Sequence, residues 1–372
     1  MTPADLSRLN TGPYTGAPTD YKPEIRTKDD VFAIESRRLL AYLVAPDEID
    51  PDINVLANTR ILNTSYGTFN DVLGVMPSSF QPVAERNNML GGVFTSRTNG
   101  SIRAKKSLNI TVMRFPSDSS ARTAAAEFEQ VITTGNPLAL LIPLTTNGDT
   151  HAILFSDSSG TLFAQHGPYM ITALLALPQP DRTALTHGLN KTLEAQTARL
   201  NNTKPTQTDD MLDLPQNPEG IMRLALQQPN KGGDAWLQKE AIGFYAAAGA
   251  LHFERDITGL RRIFAETGAD LVAWNDGTVY RVRDLASAFK LQAALTKLGR
   301  DDEEIPNPPG ITDARCIKLD VKEPIRDYIY ICAVVYGRYV AVVGARRGFS
   351  EVADPSFFER VTAQYSILAK SG

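Results

Sequence analysis

The sequence predicts an α+β protein of two similar domains, each a largely antiparallel sheet with packed helices. The chain of 372 residues is longer than one ordinary domain. A polar stretch punctuated by proline separates two halves near residue 206. Each half contains a strand, a short polar break and an alanine-rich helix, in that order. We interpret this recurrence as a diverged tandem repeat of one α+β unit.

The predicted organisation has three parts. They are an extended N-terminal segment over residues 1–24, an N-terminal α+β domain over 25–205, and a C-terminal α+β domain with a disulfide hairpin over 206–372. The boundary follows a helical pattern in which leucine recurs at four-residue spacing, at Leu185, Leu189 and Leu193. Residues 203–218 then combine prolines with polar side chains, which is typical of a linker.

The repeated elements have local start signals. Residues 110–131 predict a strand followed by a helix, with Ser117 or Asp118 available as the N-cap. Residues 278–295 predict the same pair of elements in the second half. Each half is then predicted to have strands followed by a terminal helix, over residues 152–155 and 160–177 in the first half and over 339–343 and 357–369 in the second. Alternatively, the two halves resemble each other by chance, because a strand followed by a helix is common in proteins that mix both elements.

Both cysteines of the chain lie in one predicted hairpin. If the strands pair about Pro324, Ile317 faces Ile331 on an apolar face. Cys316 then lies opposite Cys332 on the other face, and directly opposed residues are roughly 4.5–5.5 Å apart at Cα, within disulfide range. The pattern therefore favours a disulfide. The alternative is a pair of buried free thiols in a reduced compartment.

A disulfide favours an oxidising compartment outside the cytoplasm. Residues 1–14 have neither the basic start nor the apolar core of an export signal. The protein is therefore either cytosolic or a mature exported domain that carries an added Met, and the hairpin favours the second.

Composition excludes some partners. The chain is 42 % hydrophobic and 22 % charged, which is normal for a soluble globular protein. Its formal net charge of −4, without a basic run interleaved with aromatic residues, argues against nucleic acid as a partner.

A series of motifs occurs in order along nearly the whole chain. They are Gly12-Pro13-Tyr14, the helix 34–39 leading to 46–51, Arg114-Phe115-Pro116, His166-Gly167-Pro168-Tyr169, residues 249–253, the two cysteines, residues 337–341, and Ala363-Gln364-Tyr365. In this succession the chain resembles a two-domain family of actinobacterial lipoproteins of unknown function, found in mycobacteria and nocardiae. The resemblance implies an extracytoplasmic protein, lipid-anchored to the cell membrane through an N-terminal cysteine that this chain lacks. It carries over no catalytic residue, because the family has no established activity.

Few residues qualify as site candidates. His252, Glu254 and Asp256 would share one face of a strand, either as metal ligands or as the solvated face. His166 and Tyr169 lie where a strand or turn is predicted to open a helix. No GxSxG nucleophile motif occurs. The sequence therefore predicts no catalytic, cofactor-binding or metal site, with His166, Tyr169 and His252 as candidate ligand-binding residues.

These observations favour a non-enzymatic binding or accessory module of the cell envelope. Its expected partner is an envelope lipid, glycan or protein, held in a cleft between the domains, and it would meet the membrane only through its lipid anchor. The alternative is an envelope hydrolase whose catalytic residues are dispersed in sequence.

Overall fold

The structure is a computed structural model that describes residues 3–64, 67–72, 74–146, 150–227, 238–346 and 355–371. Its contacts divide the chain into two compact units, Glu24–Leu214 and Pro215–Gly372, and Met1–Pro23 belongs to the second unit. In that unit the backbone amide of Ala4 donates a hydrogen bond of 3.1 Å to the hydroxyl of Tyr365.

The N-terminal unit alternates strands and helices. Its described strands are β1 (Val55–Leu62), β2 (Gly91–Thr98), β3 (Ser107–Arg114), β4 (Leu140–Pro143), β5 (His151–Ser156), β6 (Ser159–His166) and β7 (Tyr169–Ala176). Its α-helices are α1 (Lys28–Leu39), α2 (Pro46–Ile49), α3 (Gln81–Arg86), α4 (Asp118–Gly135) and α5 (Arg182–Leu200). The strands form an antiparallel sheet in the order β1-β2-β3-β7-β6-β5-β4.

Helices cover both faces of this sheet. α4 packs on β6 and β7, where Phe80, Phe128 and Phe163 form an aromatic cluster with ring centroids 4.6–5.8 Å apart. α5 packs on the same strands, and its Gly188 lies against Leu175. Leu175 points to the opposite face of β7 from Met170, which belongs to the core cluster of the three phenylalanines. α4 and α5 therefore lie on opposite faces of the sheet. The core of the unit therefore lies in two layers around the sheet.

The C-terminal unit contains the corresponding elements. Its described strands are β8 (Gly243–Ala246), β9 (Leu271–Trp274), β10 (Gly277–Arg281), β11 (Glu303–Ile305), β12 (Arg315–Lys318), β13 (Tyr330–Tyr336) and β14 (Tyr339–Ala345). Its α-helices are α6 (Ala247–Ala250), α7 (Ile257–Thr267), α8 (Leu285–Leu295) and α9 (Pro355–Ala369).

The two sheets share one topology. The C-terminal order is β8-β9-β10-β14-β13-β12-β11, so in both sheets three strands run in chain order and four return in reverse order. α4 and α8 follow the third strand of each sheet, and α5 and α9 follow the last strand. The prediction of two similar α+β domains is therefore confirmed.

Local signals place the repeated helices. Ser117 caps α4 by accepting a hydrogen bond from the amide of Ser120, and Asp284 caps α8 through the amide of Ser287. α5 spans Arg182–Leu200 and buries Leu185, Leu189 and Leu193, as their spacing predicts. The 3₁₀ helix Thr208–Asp213 packs on α1 and so belongs to the N-terminal unit. The two units therefore divide after Leu214, whereas the sequence pattern placed the boundary near residue 206.

The cysteine hairpin has the predicted register. Cys316 pairs with Cys332 and Ile317 with Ile331, and the two cysteines are bonded. The sulfur face belongs to the core beneath α9, whereas Ile317 and Ile331 form a small apolar cluster on the other face. The loop that connects the two strands spans residues 319–329, because β12 ends at Lys318 and β13 begins at Tyr330.

Candidate functional site

Arg114 and Tyr169 meet at one corner of the N-terminal sheet. Arg114 ends β3 and pairs across the sheet with Tyr169, the first residue of β7. The β6–β7 turn brings His166 opposite Tyr169, and Gly167 within it adopts φ of +54°, which favours glycine. The predicted start of a helix at His166-Gly167-Pro168-Tyr169 is therefore wrong, because the stretch is the turn of a hairpin. It does bring His166 and Tyr169 together.

Helix α1 supplies an ion pair to this corner. The buried carboxylate of Glu35 accepts two hydrogen bonds of 2.7 Å from the guanidinium of Arg38. The hydroxyl of Thr206 donates a third, of 2.8 Å. Arg38 also donates to Thr203 Oγ1 and to the carbonyl of Lys204, each at 3.1 Å. Residues 203–206 therefore lie on the corner and are held by it.

The Arg114 guanidinium is buried, and its hydrogen-bond acceptors among the described residues are uncharged. Arg114 is only 4 % exposed, and its guanidinium donates hydrogen bonds to the carbonyl oxygens of Phe115 and Thr206. Its Cζ lies 5.6 Å from the ring centroid of Tyr169. Within the part of the chain that the structure describes, the Arg114 Nε–H and the Tyr169 O–H have no hydrogen-bond acceptor. The Arg38 guanidinium lies close enough to the Tyr169 oxygen to oppose the rise in its pKa.

Burial controls the titration of this pair. It raises the pKa of Tyr169 to about 12, reinforced by Glu35 and opposed by Arg114 and Arg38. Burial also lowers the pKa of Arg114, although Tyr169, Glu35 and Asp118 oppose the effect. At neutral pH Tyr169 is therefore a neutral phenol that can donate a hydrogen bond, beside a guanidinium that is still charged.

The raised pKa predicts a loss of stability in alkali. Below pH 10 the phenol is protonated in both folded and unfolded chains, so it adds no pH dependence. Between pH 10 and about 12 the unfolded chain ionises first, and we expect the free energy of unfolding to fall by about 2–3 kcal/mol more in the wild type than in Tyr169→Phe. Denaturant titrations across this range measure the difference. Parallel curves for the two proteins would contradict the assigned environment.

The C-terminal unit has the same corner with a different charge balance. Arg281 ends β10 and pairs with Tyr339, and Gly337 in the preceding turn has φ of +56°. Here Asp270 accepts hydrogen bonds of 2.9 and 2.6 Å from Arg281, and Glu219 accepts bonds of 2.5 and 3.1 Å. Hydrogen bonds from these carboxylates raise the pKa of Arg281. Two carboxylates thus neutralise the C-terminal arginine, whereas Arg114 contacts carbonyls.

The structure separates His252 from the other candidates. It lies in a 3₁₀ helix, Leu251–Phe253, of the C-terminal unit and is buried. The prediction that His252, Glu254 and Asp256 share a strand is wrong. Asp256 caps α7 by accepting from the amide of Gly259, and the apolar run before it forms short helices. In the described ranges no group of three or more His, Cys, Asp or Glu side chains could hold a metal ion.

A second buried charge cluster fills the C-terminal unit. The loop between β12 and β13 inserts Arg326 between the rings of Trp274 and Tyr328, with Cζ 5.2 and 5.3 Å from their centroids. Arg326 donates to Thr278 Oγ1 at 3.0 Å, and Glu323 lies 3.7 Å from Arg326 Nε. Burial lowers the pKa of Arg326, but the combined effect of Glu323, Tyr328, Tyr280 and Glu254 outweighs burial and raises the pKa. This cluster anchors the loop to the sheet.

Sequence reasoning missed the principal members of both clusters. Glu35, Arg38 and Arg114 entered only as parts of family motifs, and Arg326 only as part of a hairpin. One available signal was the Arg at the end of the third strand of each half, three residues before the N-caps Ser117 and Asp284.

The chain matches known family models along nearly its whole length. The N-terminal model of the domain of unknown function DUF7373 matches residues 22–216, and its C-terminal model matches residues 221–371. The chain therefore belongs to this two-domain family, whose function is unknown. No curated protein matches the chain.

Among solved structures, the extracellular domain of PknH from Mycobacterium tuberculosis is similar to part of the chain. The TM-score is 0.31 with 10 % sequence identity, over 50 % of this chain and 100 % of that domain. In the residues described, no helix combines the length and apolar character needed to cross a membrane.

Proposed function

We propose that this protein is a non-enzymatic, extracytoplasmic binding module of the cell envelope. Its partner is an envelope lipid, glycan or protein, and the binding site is the N-terminal corner formed by Glu35, Arg38, Arg114 and Tyr169. A lipid on a cysteine upstream of this sequence tethers it to the membrane, as in the actinobacterial lipoproteins that the chain resembles.

The observation that carries this proposal is the incompletely partnered Arg114–Tyr169 pair. Both residues are buried, and a hydroxyl with a pKa of about 12 remains protonated at neutral pH. General acid–base catalysis works best with a pKa near the working pH. Neither an arginine nor this phenol meets that condition, whereas both suit the binding of a ligand that accepts hydrogen bonds.

The disulfide supports the extracytoplasmic location. Cys316 and Cys332 are bonded across adjacent strands within the core of the C-terminal unit. Such bonds persist mainly in oxidising compartments.

Mass spectrometry of protein purified from its own envelope tests the proposed function. We expect the wild type to retain an envelope component at a fixed stoichiometry, and Tyr169→Phe to lose most of it. The matched control is Tyr339→Phe, at the equivalent position of the C-terminal unit, which should retain as much as the wild type.

Two outcomes would contradict the proposal. One is a preparation that retains nothing specific, or loses it equally in both variants. The other is steady hydrolysis of an envelope ester, glycan or peptide that is abolished by His166→Ala or His252→Ala, because it would establish the hydrolase instead.

A further inference from the structure

We infer that the N-terminal corner binds an anionic oxygen group, a phosphate or a carboxylate, through Arg114 Nε and the Tyr169 hydroxyl. The inference rests on the proposed function, because it names the chemical group that the binding module captures.

Two buried hydrogen-bond donors at the corner are unused. Buried polar groups in proteins are nearly always hydrogen-bonded. Arg114 is 4 % exposed and Tyr169 is 2 % exposed, yet a donor on each has no partner among the described residues. Both are donors at neutral pH, so the group that would satisfy them is an acceptor.

The acceptors that Arg114 contacts are uncharged. The guanidinium of Arg114 donates to the neutral carbonyls of Phe115 and Thr206. An anionic oxygen adds the attraction between opposite charges to the hydrogen bond, and a carboxylate or phosphate can accept two parallel bonds from one guanidinium. An anionic ligand can therefore compete with the Thr206 carbonyl. Displacing the Thr206 carbonyl removes one of the contacts that hold residues 203–206, so binding should loosen this segment.

The corresponding corners of the two units differ in how their arginines are paired. Arg281 already has Asp270 and Glu219 as bidentate carboxylate partners. At the N-terminal corner Glu35 is engaged by Arg38, which leaves the charge of Arg114 to be balanced by a ligand. Arg281 thus has anionic acceptors, whereas the hydrogen-bond acceptors of Arg114 among the described residues are carbonyl oxygens.

Calorimetric titration with inorganic phosphate and with acetate tests the inference on the full chain. We expect saturable binding of at least one anion, and the tighter of the two identifies phosphate or carboxylate as the natural group. Tyr169→Phe should weaken it about ten-fold, as expected for a hydrogen bond to a charged group. Arg114→Gln should abolish it, and Arg281→Gln should leave it unchanged.

Hydrogen exchange adds an independent readout. Backbone amides in 203–206 should exchange faster when the anion is bound, and those of α4 should not. Thermal unfolding checks that each variant is folded, and Tyr169→Phe, which removes one hydroxyl, keeps the test valid if Arg114→Gln does not fold. Absence of saturable binding of both anions to the wild type, or equal weakening by Arg281→Gln, would overturn the inference.

The two proposals fail separately. If neither anion binds but native protein retains an uncharged envelope component through Tyr169, this inference is wrong and the proposed function stands. If phosphate or acetate binds at the corner but native protein retains no envelope component, the proposed function is wrong and the anion site stands.

Discussion

Replacing Glu323 with alanine should destabilise the C-terminal unit by about 3–5 kcal/mol, because it leaves a buried cation without its partner. Glu323 is 2 % exposed and accepts hydrogen bonds of 3.1 and 2.6 Å from the amides of Ile325 and Arg326. The variant loses these bonds and the nearby charge together. Urea unfolding followed by the fluorescence of Trp274, which lies against Arg326, measures the loss.

The control for this prediction is Glu303→Ala on the edge strand β11. Glu303 is exposed and lies 3.7 Å from Lys318, so its removal should cost less than about 1 kcal/mol. Replacing both Glu323 and Arg326 with apolar residues of similar volume should recover much of the lost stability. A Glu323→Ala variant as stable as Glu303→Ala would show that Arg326 is not held as described.

Removing the disulfide should be the other large effect. Cys316→Ala combined with Cys332→Ala should lower the free energy of unfolding by about 3 kcal/mol, as expected from releasing a loop of this length in the unfolded chain. The bond lies between adjacent strands whose cysteines are both buried. Chemical unfolding of the wild type with and without reductant should reproduce the difference.

The double alanine variant supplies the control, since reductant should not change its stability. Two free thiols in protein isolated from an oxidising compartment would contradict both the bond and the location inferred from it. Thiol titration under denaturing, non-reducing conditions distinguishes these cases.

Short-range patterns in the sequence were sufficient for much of the fold. Alternation placed Ile317 opposite Ile331 and Cys316 opposite Cys332, because side chains on a strand alternate with period two. Leucine spacing located α5, and Ser117 marked the start of α4. These features depend on neighbours within a few residues or on one hairpin.

The candidate site depends on contacts that no local pattern specifies. Glu35, Arg114, Tyr169 and Thr206 come from a helix, two strands and the segment after α5, and only tertiary folding brings them together. For His252, the local pattern predicted the wrong element. Its alternation with Glu254 suggested a strand, but these residues lie in and directly after short helices that bury them.

The loop of the cysteine hairpin was also beyond local reasoning. Residues 319–329 fold back so that Arg326 lies between Trp274 and Tyr328, and the ring of Tyr328 lies over Gly344. A side chain at Gly344 would collide with that ring, so the glycine is required by packing. Sequence alone shows a polar loop and an isolated glycine, without the contact that relates them.

The most direct test of the central claim is the NMR signal of the Arg114 Nε–H group in the presence of phosphate and acetate. If this corner binds an anion, the signal should move downfield and exchange more slowly with solvent as the anion is added, and Tyr169→Phe should reduce the change. The Arg281 Nε–H signal should stay fixed, because Asp270 already accepts its hydrogen bond. An Arg114 signal that does not respond to either anion, or an equal response at Arg281, would contradict the account.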